Sequence, residues 1–364
     1  ALPIYKTKGE IMNNFKKIGL TALAGSLAAV SANAVELSVS GETTVSYISN
    51  TAAKVGTIGG SSIGTSTGIT FSGSGELENG WTVSSSNILN DGDANALSSS
   101  QLNLTMGSMG TVTFAKAYGT NVNAIDDVTP KVAEEAFDGA GGSVLQGIGV
   151  TTAKGAVAYK SPSFDIMGVS ASFGVDYDPA AGADGNDHDA IATKTATQGS
   201  GHGFTVKLSH DSGLTVGAGQ ENISSNSGND AEAENVTAYA LYTMGPVSVG
   251  YQGYYLNNGT QGTAGSTAAG ADYSGDAIGI AFNVNDNVSI GYQKVSETQE
   301  ANAIPTDTDS TLASTRDIKS LSAAYSTGGM TMSIQQTDTD NYSMLAAGSE
   351  LDTETVQVTL SFAF

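Results

Sequence analysis

From residue 36 to the last residue, the chain is a succession of period-two segments whose connectors alternate, without exception, between long and short. The spacing predicts sixteen strands, at 36–49, 68–77, 81–89, 97–106, 111–118, 156–160, 167–177, 203–209, 214–223, 236–244, 247–256, 276–284, 288–297, 318–326, 330–338 and 355–364. The short connectors run to at most six residues, as in "ENG" (78–80), "GP" (245–246) and "SPSFDI" (161–166), whereas the long ones start at seven and reach 37 at 119–155. Alternate side chains of a strand point to opposite faces of its sheet. An even number of strands with tight turns at one end and long loops at the other is the pattern of an antiparallel barrel that crosses a membrane.

One parity of these strands is apolar and the other polar. In 97–106, Leu102, Leu104 and Met106 oppose Gln101, Asn103 and Thr105. In the last strand Val356, Val358, Leu360, Phe362 and Phe364 oppose Gln357, Thr359, Ser361 and Ala363. Alternation alone does not say whether the apolar face meets a protein core, as in a sandwich, or lipid, as in a wide barrel. Hydrophobic residues make up 39% of the chain, against about 45–50% (glycine included) in soluble domains, which favours lipid. The final strand, apolar on one parity up to Phe364, favours lipid too, because a closed barrel must pair its last strand with its first. Tyr47, Trp81, Tyr118, Tyr177 and Tyr255 sit at strand ends, where interfacial aromatics belong.

The front of the chain reads as a targeting segment. Lys16 and Lys17 precede an apolar run from Ile18 to Val30, followed by "SANA". A basic start, a short apolar stretch and small residues at Ala32 and Ala34 predict a secretory signal over 12–34, preceded by an extension at 1–11 that is not native. The expected mature chain is a single barrel over 35–364, exported to the cell outer membrane. Losing four lysines and one glutamate with the leader takes the net charge from −22 to −25. That charge excludes nucleic acid as a partner. With no cysteine there is no disulfide and no thiolate metal site, and neither a metal nor any other cofactor is expected. An enzyme is not expected either: His188, His202 and His210 fall in or beside loops and turns, with no strand supplying one. "DGNDHDAIATKT" (184–195) has Thr195 where a calcium loop needs glutamate.

Two segments carry a family resemblance. "VAYKSPSF" (157–164), followed by "GVSASFGV" (168–175), resembles the segment through which Gram-negative general porins, here of the alphaproteobacterial type, leave their constriction region. "GTVTFAKAYG" (110–119) is similar to their fifth strand. The resemblance implies a homotrimer of sixteen-stranded barrels in outer-membrane lipid and lipopolysaccharide, with the third loop, about 119–155, folded into the lumen. It also implies recognition of the terminal strand, ending at Phe364, by the barrel-assembly machinery. The implied activity is diffusion of small hydrophilic solutes and ions.

The candidate constriction combines an acidic loop with a basic wall. "IDDVTPKVAEEAFD" supplies Asp126, Asp127, Glu134, Glu135 and Asp138 around a single base, Lys131. Acidic constrictions attract cations, and lysines facing them would set a field across the pore. With Arg316 as the sole arginine, expected in an outer loop, the basic wall would fall to Lys116, Lys154, Lys160 and Lys207. Parity directs three of these into the lumen. Lys116 shares the parity of Val112 and Phe114 and would need a bulge. Glu42 stands where relatives often carry a base, and Glu221 has lumenal parity. A cation-preferring diffusion channel is the leading expectation. A substrate-specific outer-membrane channel, and in a different class a secreted β-sandwich adhesin or surface-layer protein, are the alternatives.

Overall fold

The computed structural model describes residues 36–51, 59–91, 97–116, 119–136, 155–179, 199–224, 232–257, 272–299, 314–342 and 352–364. The leader 1–34, Tyr118, Asp138 and Lys154 lie outside these residues. The first strands are β1 (Glu36–Asn50), β2 (Gly60–Glu76), β3 (Thr82–Asn90), β4 (Leu97–Thr105) and β5 (Thr111–Lys116). Next come β6 (Ala156–Lys160), β7 (Phe164–Ile166), β8 (Val169–Asp178), β9 (Gly201–His210), β10 (Leu214–Ile223) and β11 (Ala233–Met244). The last are β12 (Val247–Asn257), β13 (Asp272–Asn283), β14 (Val288–Gln299), β15 (Ser314–Thr327), β16 (Met330–Asp340) and β17 (Thr353–Ala363). Neighbours in sequence pair antiparallel, and β17 pairs with β1, so the sheet closes on itself. β6 and β7 both pair with β8 and form one interrupted stave, which makes sixteen staves in all.

The interruption corrects one expected turn. Lys160 pairs with Gly174 but Phe164 pairs with Ala171, so the β6–β7 side holds one residue more than β8. Pro162 has no N–H to offer a ladder, and a bulge is where a proline is tolerated inside a sheet. Ser161 keeps the seam bonded by donating its N–H to the Phe173 carbonyl (2.9 Å) and accepting the Phe173 N–H on Oγ (2.9 Å). The turn comes instead at Met167 and Gly168, whose φ angles of 54° and 85° suit the primed hairpin turns that match strand twist. β2 also differs, starting at Gly60 rather than 68. Its first residues, "GSSIGTST", lack a sustained apolar parity, yet all of them pair with β1.

Closure explains why the last residue matters. Gly41 donates its N–H to the Phe364 carbonyl (2.7 Å) and accepts the Phe364 N–H (2.9 Å), extending the β1–β17 ladder to the chain end. The Phe364 ring lies across Gly41, where an added Cβ would come within 2.3 Å of it. An unpaired edge in lipid would leave backbone groups without partners, at several kcal/mol each.

The two faces are inverted relative to a soluble domain. Outward Phe114, Phe204, Tyr251 and Ile334 are each 51% exposed, whereas inward Gln252, Glu221 and Glu297 are wholly buried. A sandwich would bury the first group and expose the second. Tyr47, Tyr177 and Tyr255 stand outward, as strand-end aromatics should. Among the described residues no helix is long and apolar enough to span a bilayer.

Candidate functional site

Segment 119–136, which follows β5, lies inside the barrel against the inner faces of β8 to β16. Its first anchor is Asp176 of β8, an inward carboxylate 3% exposed. Asp176 Oδ1 accepts from the Asn121 N–H (3.1 Å) and Nδ2 (2.7 Å), and Oδ2 accepts from the Val122 N–H (2.8 Å). Further along, Gln252 Oε1 accepts the Val128 N–H (2.8 Å), and its Nε2 donates to the carbonyls of Ile125 (2.8 Å) and Asp126 (3.1 Å). Gln293 Oε1 accepts the Ala136 N–H (2.8 Å), and Gln335 Nε2 donates to the Glu134 carbonyl (2.9 Å). The segment has almost no regular structure of its own, so its main chain finds these bonds on the wall instead.

Apolar contacts and glycines complete the seat. Val122 and Ile125 pack with Tyr239 of β11, and Ala136 packs with Tyr254, Ala277, Val295 and Ile318 from β12 to β15. The main chain runs close because the wall there lacks side chains. A Cβ on Gly279 would lie 2.4 Å from the Pro130 carbonyl oxygen, and one on Gly250 2.5 Å from the Pro130 ring. Gly174, Gly203 and Gly291 meet Asn121, Val122 and Val132 in the same way.

Four of the five expected acids are described and are carried by this segment: Asp126, Asp127, Glu134 and Glu135. Burial pushes the Asp126 carboxyl up to about 7, aided by the charge of Asp127 and a hydrogen bond with it. Lys131, the expected internal base, is held within the segment, paired with Glu135 and 3.8 Å from Asp127. Glu134 is exposed.

Of the expected basic residues whose side chains are described, Lys160 and Lys207, neither lies across from these acids. Lys160 and Lys207 have inward parity and are exposed, but they pair with Gly174 and Ser172 on β8, beside the segment's first anchor. The bulge that Lys116 would need is absent: Ser100↔Lys116 continues the register of Leu102↔Phe114, whose side chains point outward. Its side chain lies outside those described. Opposite the seated segment, the described inward positions of β17 and β1 to β5 hold no lysine or arginine. They carry hydroxyls and amides such as Thr44, Ser72, Ser86, Asn103 and Thr359. The exposed acid Glu42 joins them, accepting from Thr44 Oγ1 (3.0 Å).

Three other expectations are settled by position. Arg316 lies in β15, not in an outer loop, because the alternation of β15 extends that far. It is buried against Glu297 of β14, donating through Nε (2.7 Å) and Nη2, while Nη1 donates to the Tyr342 carbonyl (3.1 Å). Glu221 is inward as expected but fully buried, accepting from Asn235 Nδ2 (3.2 Å). His202 and His210 belong to β9, contrary to the expectation that no strand holds a histidine. His210 Nδ1 accepts the Ser212 N–H (3.1 Å), which makes it a cap on the following turn. The anchors Asp176, Gln252, Gln293 and Gln335 were not singled out in the sequence. Their inward parity was legible, but their partners lie 54 to 201 residues away.

The sequence matches a family model described as Gram-negative porin over residues 19–333. A search of curated protein sequences finds no match. Among solved structures, an anion-selective porin from Comamonas acidovorans aligns with TM-score 0.62 at 14% identity, covering 91% of this chain and 100% of that one. Salmonella typhi OmpF, solved with daunomycin, aligns with TM-score 0.63 at 15% identity, covering 91% and 98%. OmpT of Vibrio cholerae aligns with TM-score 0.59 at 12% identity, covering 91% and 98%. At such identities the structural likeness concerns the fold.

Proposed function

Because this chain belongs to the Gram-negative porins and forms an outer-membrane channel, we propose that it passes small hydrophilic solutes and ions by diffusion, with preference for cations. The observation that carries the preference is the one-sided charge of the lumen. Asp126, Asp127, Glu134 and Glu135 ride on the inserted segment, and its one described base is tied to two of them. Among the described residues the facing wall answers with hydroxyls, amides and the acid Glu42, not with lysines. A narrow aqueous opening lined by one sign of charge concentrates counter-ions and excludes co-ions. Lys160 and Lys207 act, in this reading, near the short-turn end of the lumen rather than across the constriction.

Family membership also supports a homotrimer, removal of the leader after Ala34, contact with lipopolysaccharide, and recognition of the strand ending at Phe364 by the assembly machinery. The selectivity is tested by the reversal potential of the purified protein in a planar bilayer under a salt gradient. A potential on the cation side is expected. A zero or anion-side value overturns the preference, and absence of channels overturns the function.

A further inference from the structure

The inserted segment is held chiefly by three uncharged side chains in a regular arrangement. Gln252, Gln293 and Gln335 project inward from β12, β14 and β16, every second stave of one arc of wall. Each is at most 4% exposed, and each bonds the main chain of the segment. A primary amide offers a carbonyl and N–H donors side by side, as a peptide unit does, so the wall presents the segment with a substitute for a neighbouring strand. The intervening strands β13 and β15 contribute Gly279, which clears room for Pro130, and Ser320, which accepts from Gln335 Nε2 (2.7 Å).

We propose that Gln252, Gln293 and Gln335 are the positioning residues of the constriction: the direction of their amide hydrogen bonds fixes where the segment lies and so sets the bore. The proposal rests on reading 119–136 as the constriction.

The hydrogen-bond pattern makes the three residues unequal in a way that packing does not. Gln252 uses Nε2 toward two carbonyls, Ile125 and Asp126, and toward Thr237 Oγ1 (2.9 Å). Gln335 uses Nε2 toward one carbonyl, Glu134, and the Ser320 hydroxyl. Gln293 needs its oxygen for Ala136, and its Nε2 meets only a hydroxyl, Thr129 Oγ1 (3.2 Å). Glutamate has the shape of glutamine but has no N–H. In Gln293→Glu a carboxylate still accepts from Ala136, and the Thr129 hydroxyl rotates to donate. In Gln335→Glu one carbonyl faces a carboxylate oxygen, and in Gln252→Glu two do. Leaving such groups facing one another without a hydrogen is the costly error in a buried polar contact.

The test uses the full mature chain, refolded and checked for heat-modifiable mobility, in planar bilayers. The readouts are open-channel current noise and the size cut-off for uncharged polyethylene glycols, which the added charge does not bias. Expected is a graded series. Gln293→Glu matches wild type, Gln335→Glu shows an intermediate rise in noise, and Gln252→Glu shows a severalfold rise with a shifted cut-off. If the three behave alike, whether unchanged or equally disturbed, amide polarity does not set the bore and the proposal is overturned. Should Gln252→Glu fail to assemble, Gln252→Met, neutral and similar in length, carries the test. A bore like wild type in that variant overturns the proposal equally. Failure of the underlying reading looks different, because wild type would then show no size-limited conductance at all.

Discussion

The barrel wall has two halves that are alike outside and unlike inside. From β8 to β16 the inner face carries glycines, three glutamines and small apolar clusters, and it is covered by segment 119–136. From β17 through β1 to β5 the inner face is mostly serine, threonine and asparagine, and of the described segment Gly119 alone is seen against it, at Gln101 of β4. Both halves alternate and turn apolar side chains outward, although β3 and β4 of the open half also turn Ser85, Asn87 and Ser100 that way. The comparison teaches that in this chain the outer pattern makes a barrel, while departures on the inner face decide where it narrows. It also separates two jobs that one residue set could have shared. The seated half fixes position with mostly neutral groups, and the segment it holds brings the charge.

The largest effect should come from denying the segment its seat. Gly279→Val puts side-chain atoms where Pro130 now lies, so single-channel conductance should rise severalfold and the polymer cut-off should increase. Ser72→Val, on the open half, should leave both near wild type. Equal responses of the two variants would erase the distinction between the halves.

The next effect concerns charge. Two unit charges about 8 Å apart in water interact by roughly 0.5 kcal/mol, and screening at about 0.1 M salt roughly halves that; since cations gain what anions lose, each acid changes the cation-to-anion ratio by about twofold, less at higher salt. Asp126→Asn, Asp127→Asn, Glu134→Gln and Glu135→Gln combined should therefore collapse most of the preference. Glu42→Gln alone, on the open half, should shift it by about twofold at most. Reversal potentials at low ionic strength measure both.

The smallest effect is a pH dependence confined to the seated side. The Asp126 carboxyl is raised from 3.8 to about 7, by burial first and then by Asp127. A carboxyl with a raised value in the folded state stabilises the seated segment fully below its unfolded value and loses that contribution as pH rises through about 7. The charge moves the opposite way, so cation preference should grow by about twofold at most between pH 6 and pH 8. Asp127, Lys131 and Glu135 on the segment, with Tyr254 on β12, are the neighbouring titratable groups. Asp126→Asn should flatten the profile. A profile unchanged in that variant would assign the titration elsewhere.

How much of this could be read from residues alone follows the same division. The staves were legible because lipid imposes a strict apolar parity. The outer half of β2 was not, since "GSSIGTST" has left the apolar band and its pairing is a matter of backbone alone. Pro162 signalled an irregularity, but whether it made a turn or a bulge depended on β8, its partner strand. The acids of the inserted segment stood out as a charge run. Gln252, Gln293 and Gln335 did not, because a glutamine on the polar parity looks the same whether it faces water or grips a main chain. Arg316 was misplaced for the same reason as β2: its strand continues beyond the band that makes strands visible.

The account depends on the outward parity meeting hydrocarbon and the inward parity meeting water. The chain contains no cysteine, so single cysteines can be introduced one at a time along β17, from Val356 to Phe362, and spin-labelled in proteoliposomes. The account predicts that labels at 356, 358, 360 and 362 are relaxed by oxygen, and those at 357, 359 and 361 by a water-soluble nickel chelate. The two accessibilities should alternate strictly out of phase. Accessibilities that rise and fall together, or no oxygen contact at 358 and 360, would contradict it.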